Sequence, residues 1–202
     1  MGRLYFEQGI GGGRGATGFL LHHKNKTYLV TAFHIFFKSL TWESNQAMLN
    51  DVRLIELIQG GNVLTKSSIP LRVSHPKPSE EGRNEGDVAL FKVDDTYNQP
   101  AMTLAERGPI LNEPVWLYYF SPGEDSQPHL LPARVLKSSN FTLDLAFPAA
   151  PSDMSMTSGS PVLNSKGEVV GVACLYRIGG RYPMEMWAAP LESLQKSLAS
   201  NE

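Results

Sequence analysis

Apolar residues in this chain come in short runs, and almost none is long enough or suitably spaced for a helix. Runs of about four to eight residues, alternating or rich in β-branched and aromatic side chains, recur from "GFLLH" to "MEMWAA" with turn formers between them. That pattern predicts an all-β chain. Strands are expected over residues 18–22, 27–31, 52–58, 69–73, 88–93, 115–120, 133–137, 142–147, 161–163, 169–175 and 183–188. The one convincing helix is "PLESLQKSLAS", where Pro190 suits a first turn and Leu191, Leu194 and Leu198 share a face. Segments 74–86 and 121–129, polar and rich in proline and glycine, read as surface loops, and "GIGGGRG" as a flexible approach to the first strand. Strand signal fades across 94–114, which predicts a divide between two lobes. Residues 1–202 are therefore expected to form one domain, with lobe one over about 1–100, lobe two over about 110–190 and the helix over about 190–199.

With 202 residues and 42% hydrophobic content the chain can bury a sizeable core. Its 18 basic and 20 acidic residues are spread along it, with no lysine or arginine run that would track a phosphate backbone, so nucleic acid is not expected as a partner. The single Cys174 excludes an intrachain disulfide framework and a cysteine-based zinc site. No segment approaches the roughly 18 consecutive apolar residues of a membrane span, and no signal-peptide pattern opens the chain. The expectation is a cytoplasmic protein with no membrane partner.

Three separated pieces carry the residue types of nucleophilic catalysis. A serine nucleophile needs a base for its proton, a carboxylate to hold that base in the right tautomer, and donors for the oxyanion. In "YLVTAFHIFF" an apolar strand turns into His34; in "EGDVALFKV" Asp87 stands at the mouth of a strand; in "TSGSPVLNSKGEVVGV" Ser158 precedes two strands joined by a turn. Singly, each residue has an ordinary explanation as a turn, cap or strand-end residue.

In the order His, Asp, Ser they resemble the trypsin-like, chymotrypsin-fold serine peptidases, closest in style to bacterial members. "ATGFLL" resembles the family's opening Gly-x-Gly-Phe strand, with Thr17 where one glycine often sits. "VTAFH" resembles Thr-Ala-Ala-His, "GDVALFKV" the Asp-[Ile/Val]-Ala-Leu strand, and "TSGSPV" the Gly-[Asp/Asn]-Ser-Gly-[Gly/Ser]-Pro turn. "GEVVGV" resembles the strand that follows, and "MWAAPLESL" the Phe-Ala-[Ile/Val]-Pro approach to the last helix. The resemblance implies two packed antiparallel six-stranded-type β-barrels with a C-terminal helix. It also implies a triad of His34, Asp87 and Ser158 in the cleft between lobes, a peptide or protein substrate, and no cofactor or metal.

Two positions depart from the family pattern. Met156 stands where the family has glycine, two residues before the nucleophile, and its backbone N–H with that of Ser158 would form the oxyanion hole. A bulky residue in a glycine-favoured conformation is strained, so the reading is an active peptidase whose hole forms fully only with substrate or a partner bound. The alternative is a weak or inactive pseudo-peptidase that binds peptides. Thr157 replaces the aspartate of enzymes activated by N-terminal cleavage, which argues against that activation here.

By position, the substrate pocket would be walled by residues 152–155, 174–176 and 185–187, giving Ser152, Cys174, Leu175, Tyr176 and Glu185 as candidate substrate-binding residues. The backbone of 173–175 would be the rail to which an extended peptide adds as a strand, a mode that serves catalyst and binding module equally. A carboxylate at Glu185 facing the pocket would attract a basic side chain; facing solvent it would not. Cys174, inside the apolar "VVGVACLY", reads as a buried thiol rather than a nucleophile. "TSGSP" lacks the Gly-x-Ser-x-Gly elbow of an α/β-hydrolase. His22 and His23 point to opposite faces of a strand, and His75 and His129 lack ligand spacing. A partner or larger chain that controls activity would fit a conditional hole; oligomeric state stays open.

Overall fold

The computed structural model describes residues 1–8, 11–36, 52–59, 62–67, 86–93, 100–120, 128–151 and 154–200. Lobe one holds β1 (Gly2–Gln8), β2 (Gly11–His23), β3 (Lys26–Thr31), a 3₁₀ turn at Phe33–Phe36, β4 (Val52–Gln59), β5 (Asn62–Ser67) and β6 (Ala89–Lys92). These strands form one antiparallel sheet in the order β5-β4-β1-β2-β3-β6. Lobe two holds β7 (Pro114–Phe120), β8 (Pro128–Ser138), β9 (Leu143–Phe147), β10 (Pro161–Leu163), β11 (Val169–Ile178) and β12 (Met184–Pro190), closed into a barrel in the order β10-β11-β12-β9-β8-β7. Helix α1 (Leu191–Ala199) follows β12 directly. The fold is mostly β, as expected, and among the described residues lobe one is a sheet rather than a closed barrel.

The sequence pattern of each strand follows from how many of its faces are buried. In β7 and β12 buried and less buried residues alternate, which points Val115, Leu117, Met184 and Met186 into the barrel. Strands β2, β3 and β6 read as continuous apolar runs because both faces are covered. Leu20, Leu29 and Phe91 fill the lobe-one core, while Phe19, Tyr28, Val30 and Leu90 point the other way. That second face packs on Val169, Val172, Ala189 and the helix residues Leu194 and Leu198. This seam of apolar side chains joins the lobes.

Backbone bonds from the connecting segment reinforce the seam. Met102 exchanges bonds of 2.8 Å with Leu20 and His22 of β2. A few residues on, Val169 N–H donates to the Thr103 carbonyl and Ala105 N–H to that of Val169. The divide expected over 94–114 thus contains a strap, residues 101–105, bonded to both lobes.

The glycine-rich stretch, whose residues 9 and 10 lie outside those described, is not a loose approach: residues 11–15 belong to β2, and 11–14 pair with β1 ahead of a bulge at Gly15. Ladder bonds need only backbone, so glycines hold register once a partner strand is present. Neither β1 nor β5 is among the strands expected from the sequence: "GRLYFEQ" and "NVLTKS" mix polar and apolar residues without strict alternation or a continuous apolar run. The expected strand at 69–73 lies outside the described residues, as do the loops at 74–85 and 121–127. Residues 128 and 129 extend β8.

The inter-lobe seam carries much of the stability. Leu194→Ala, at a site with 0% exposure, is expected to cost about 2–5 kcal/mol in urea unfolding, the range for a buried leucine truncation.

Candidate active site

His34 leaves lobe one on the 3₁₀ turn that follows β3. Residues three apart in such a turn stack on one side, and Phe33 and Phe36 are both buried in the lobe-one core. His34 is therefore turned outward and only partly buried. Asp87 precedes β6, just ahead of Val88 and Ala89, which are fully buried. Its Oδ1 accepts the backbone N–H of His34 at 2.8 Å and its Oδ2 lies 2.8 Å from His34 Nδ1. With Nδ1 donating to a carboxylate, Nε2 is left as the acceptor. That nitrogen lies 2.9 Å from Ser158 Oγ, contributed by lobe two.

Burial alone would lower the pKa of His34, but the hydrogen bond to Asp87 and the carboxylate's charge outweigh it and raise the value above 6.5. Burial would likewise raise that of Asp87. The His34 ring, its charge and its backbone N–H, with help from the Cys174 thiol, outweigh this and hold the carboxyl below its ordinary range. The arrangement can do what general-base chemistry requires: an oriented imidazole in hydrogen-bond reach of a hydroxyl, with an anion behind it.

Ser158 sits in a turn bonded at every level. Thr157 donates from its N–H at 3.4 Å and from Oγ1 at 2.8 Å to the Met154 carbonyl. Ser160 N–H donates to the Thr157 carbonyl, and Gly159 and Ser160 exchange bonds of 2.8 Å with Ala173 on β11. Across the cleft, Thr17 N–H donates to the Ser158 carbonyl at 2.9 Å and Thr17 Oγ1 to the Met156 carbonyl at 2.8 Å, while Thr31 Oγ1 donates to the Thr17 carbonyl at 2.8 Å. Gly159, at φ +87°, is the close-approach point: a Cβ there would lie 2.1 Å from the Thr17 carbonyl oxygen and 2.3 Å from Thr31 Oγ1. These threonine roles have little local signal in the sequence: Thr17 stands just ahead of the apolar run in "ATGFLL" and Thr31 closes the strand in "LVTAFH".

Met156 holds φ +71°, the left-handed conformation that favours glycine. Such a residue costs about 1–3 kcal/mol and persists only where its surroundings impose it. Among the described residues, neither the Met156 N–H nor the Ser158 N–H has an acceptor.

The remaining candidates divide. The Cys174 carbonyl lies 3.0 Å from Ser158 Oγ and is the alternative acceptor for the one hydroxyl proton that His34 Nε2 also takes, while the Cys174 thiol is buried, donates to the Val172 carbonyl at 3.3 Å, and is pushed well up in pKa by burial and by Asp87. Leu175 and Tyr176 are exposed, 54% and 39%. β10 pairs with β11 only as far as Val172, so from Leu175 onward β11 has one edge on β12 and the other without a partner strand among the described residues. Glu185 is bound by its cross-strand neighbour Arg177, whose guanidinium also lies 5.8 Å from the Trp187 ring centroid. Ser152 lies outside the described residues. Among the described residues no group of three His, Cys, Asp or Glu could hold a metal ion, and His129 packs against Tyr119. Among the described residues no helix is long and apolar enough to cross a membrane.

Residues 16–172 match the family model of the trypsin-like peptidase domain. The chain belongs to that family. It is a serine-type peptidase of chymotrypsin fold, and its substrates are peptides or proteins. No curated protein matches the chain significantly. The thermostable serine protease AL20 from an extremophilic microorganism is similar in structure, with TM-score 0.64 at 14% identity over 99% of this chain and 95% of that one. The active form of the Rv3671c protease of M. tuberculosis gives TM-score 0.61 at 16% identity over 98% and 79%. The serine endoprotease of Yersinia pestis gives 0.57 at 17% over 98% and 61%. At these identities the likeness is one of fold.

A trypsin-like peptidase with this His34–Asp87 pair has a defined pH response. With Ser158 as nucleophile and His34 as its base, labelling by a fluorophosphonate would require neutral His34, so it is expected to rise with pH through a midpoint above 6.5. Asp87→Asn removes both raising influences. The midpoint should fall, and the plateau rate should drop on the order of 10⁴-fold, as loss of the triad carboxylate does elsewhere.

Proposed function

We propose that this chain is a serine endopeptidase acting through His34, Asp87 and Ser158, with the backbone N–H groups of Met156 and Ser158 as the oxyanion hole. The observation that carries this reading is the unbroken line from Asp87 Oδ2 to His34 Nδ1 at 2.8 Å and from His34 Nε2 to Ser158 Oγ at 2.9 Å. As Oγ attacks the scissile carbonyl carbon, its proton passes to Nε2, and Asp87 stabilises the imidazolium. The proton then goes to the leaving amine as the C–N bond breaks, leaving an acyl-Ser158. Water, deprotonated by His34, releases the acid and restores the serine.

The oxyanion formed at each addition needs donors already aimed at it. Left-handed Met156 with its N–H unclaimed supports a hole that is formed before substrate arrives, in place of one that assembles only on binding. An extended substrate would add as a strand along the edge of β11 at Leu175 and Tyr176. Because Arg177 already takes up the charge of Glu185, that carboxylate does not select for lysine or arginine. A peptide library is expected to show no basic preference at the residue before the cleaved bond; strong selection for lysine or arginine there would remove this assignment of Glu185.

Fluorophosphonate labelling read by intact mass tests the nucleophile. Wild type is expected to gain one adduct, and Ser158→Ala and His34→Ala to gain none on the same timescale. Folded wild type that stays unlabelled would leave the peptide-binding module as the better reading.

A further inference from the structure

Met156 keeps its left-handed backbone although it carries a long side chain. The other non-glycine residues with positive φ among those described are Lys24 and Asn25 in the β2–β3 turn, and Asn112 in the turn before β7. Hairpin tips and asparagine accept that conformation readily. Met156 has neither excuse. Its turn has the form of a type II turn over residues 154–157, with the left-handed residue third, and rotation of the 155–156 peptide would convert it to the type I form. That rotation would give Met156 an ordinary negative φ and swing its N–H away from the oxyanion. A methionine therefore pulls this turn towards the wrong form, where a glycine would not.

Among the described residues, one hydrogen bond holds Met156, and it comes from the other lobe. Its carbonyl accepts Thr17 Oγ1 at 2.8 Å, and its N–H has no acceptor. Thr17 is fully buried, and three bonds fix it: Oγ1 to Met156, N–H to the Ser158 carbonyl, and its own carbonyl accepting from buried Thr31 Oγ1. The hydroxyl cannot turn to water. One buried residue thus grips the carbonyls on either side of Thr157.

We propose that the Thr17 side chain is a positioning residue of the oxyanion hole: its hydroxyl holds the strained Met156 turn so that the Met156 and Ser158 N–H groups keep a common target. This rests on the reading of Ser158 as nucleophile and of those two N–H groups as the hole. Thr17 touches no reacting atom. It acts on the transition state through the peptide planes it fixes, and its loss is felt in kcat rather than in KM.

The test pairs a structural with a kinetic arm. Crystal structures of wild type and Thr17→Val report φ at residue 156: the valine variant is expected to carry negative φ there, wild type positive φ. Kinetics on a peptide substrate compare wild type, Thr17→Val, Met156→Gly and the double variant. Thr17→Val is expected to lower kcat about ten- to a hundredfold, up to the loss of one oxyanion donor, with KM little changed. In the Met156→Gly background the same substitution should have almost no effect, and Thr17→Ser should restore most of the rate. Thr17→Ala carries the same readings if the valine variant does not fold. Positive φ at Met156 without the hydroxyl, or an equal loss in both backgrounds, overturns the proposal. Wild type that never acylates refutes the nucleophile reading, while the crystal arm still decides whether the hydroxyl holds the turn.

Discussion

The contact of His34 with Ser158 spans two lobes and holds only if the lobes cannot slide, because an imidazole and hydroxyl 2.9 Å apart lose a good hydrogen bond within a few tenths of an ångström. Here the constraint is the apolar seam of Phe19, Tyr28, Val30 and Leu90 against Val169, Val172, Ala189, Leu194 and Leu198. Close-packed side chains resist displacement in every direction. The strap at 101–105 adds backbone bonds to β2 and to Val169 of β11, the strands that pair with β3, which leads into His34, and with β10, which follows Ser158. The C-terminal helix belongs to this device: Leu194 and Leu198 close the seam, and Leu191 reaches the barrel core.

On that rigid base the polar contacts become selective. Asp87 uses both oxygens on a single residue, one on the backbone of His34 and one on its ring, which fixes where the imidazole stands as well as its tautomer. Ser158 is placed from both sides, by Thr17 in lobe one and through Gly159 by Ala173 in lobe two. The tight meeting of Gly159 with Thr17 and Thr31 leaves no room for a side chain. Departure from glycine is tolerated at 156 and not at 159 for that reason: the first asks only for an unusual φ, the second also for empty space.

The parts of the molecule legible in the sequence were those whose signal is local. An apolar strand ending in "TAFH", another opening with "GDVALF", and a turn "TSGSPV" each announce their residue within a few positions, so His34, Asp87 and Ser158 could be picked out and are brought together here. Of the barrel strands, β7 and β12 are legible because buried and less buried residues alternate, and β10 and the first part of β11 because they are short runs buried on both faces. β1 and β5 were not, since their pairing depends on partners elsewhere in the sheet and their own residues are mixed. The ion pair of Glu185 with Arg177 lies eight residues apart and needed the register of β11 on β12 to be seen.

The bond between Thr17 and Met156 is the extreme case, its ends 139 positions apart in the sequence. Read locally, each residue is a departure: a threonine where glycine often sits, and a methionine where a glycine-like backbone is needed. Read in the fold, the first supplies what the second lacks. Glycine reaches left-handed φ without penalty and needs no tether to stay there. Methionine pays about 1–3 kcal/mol for it, and a buried hydroxyl bond of roughly 0.5–1.5 kcal/mol offsets part of this while restricting the turn to one form. On the proposed reading the two departures make a single solution, in which order at the Met156 turn comes from a tether across the cleft instead of from freedom at one residue.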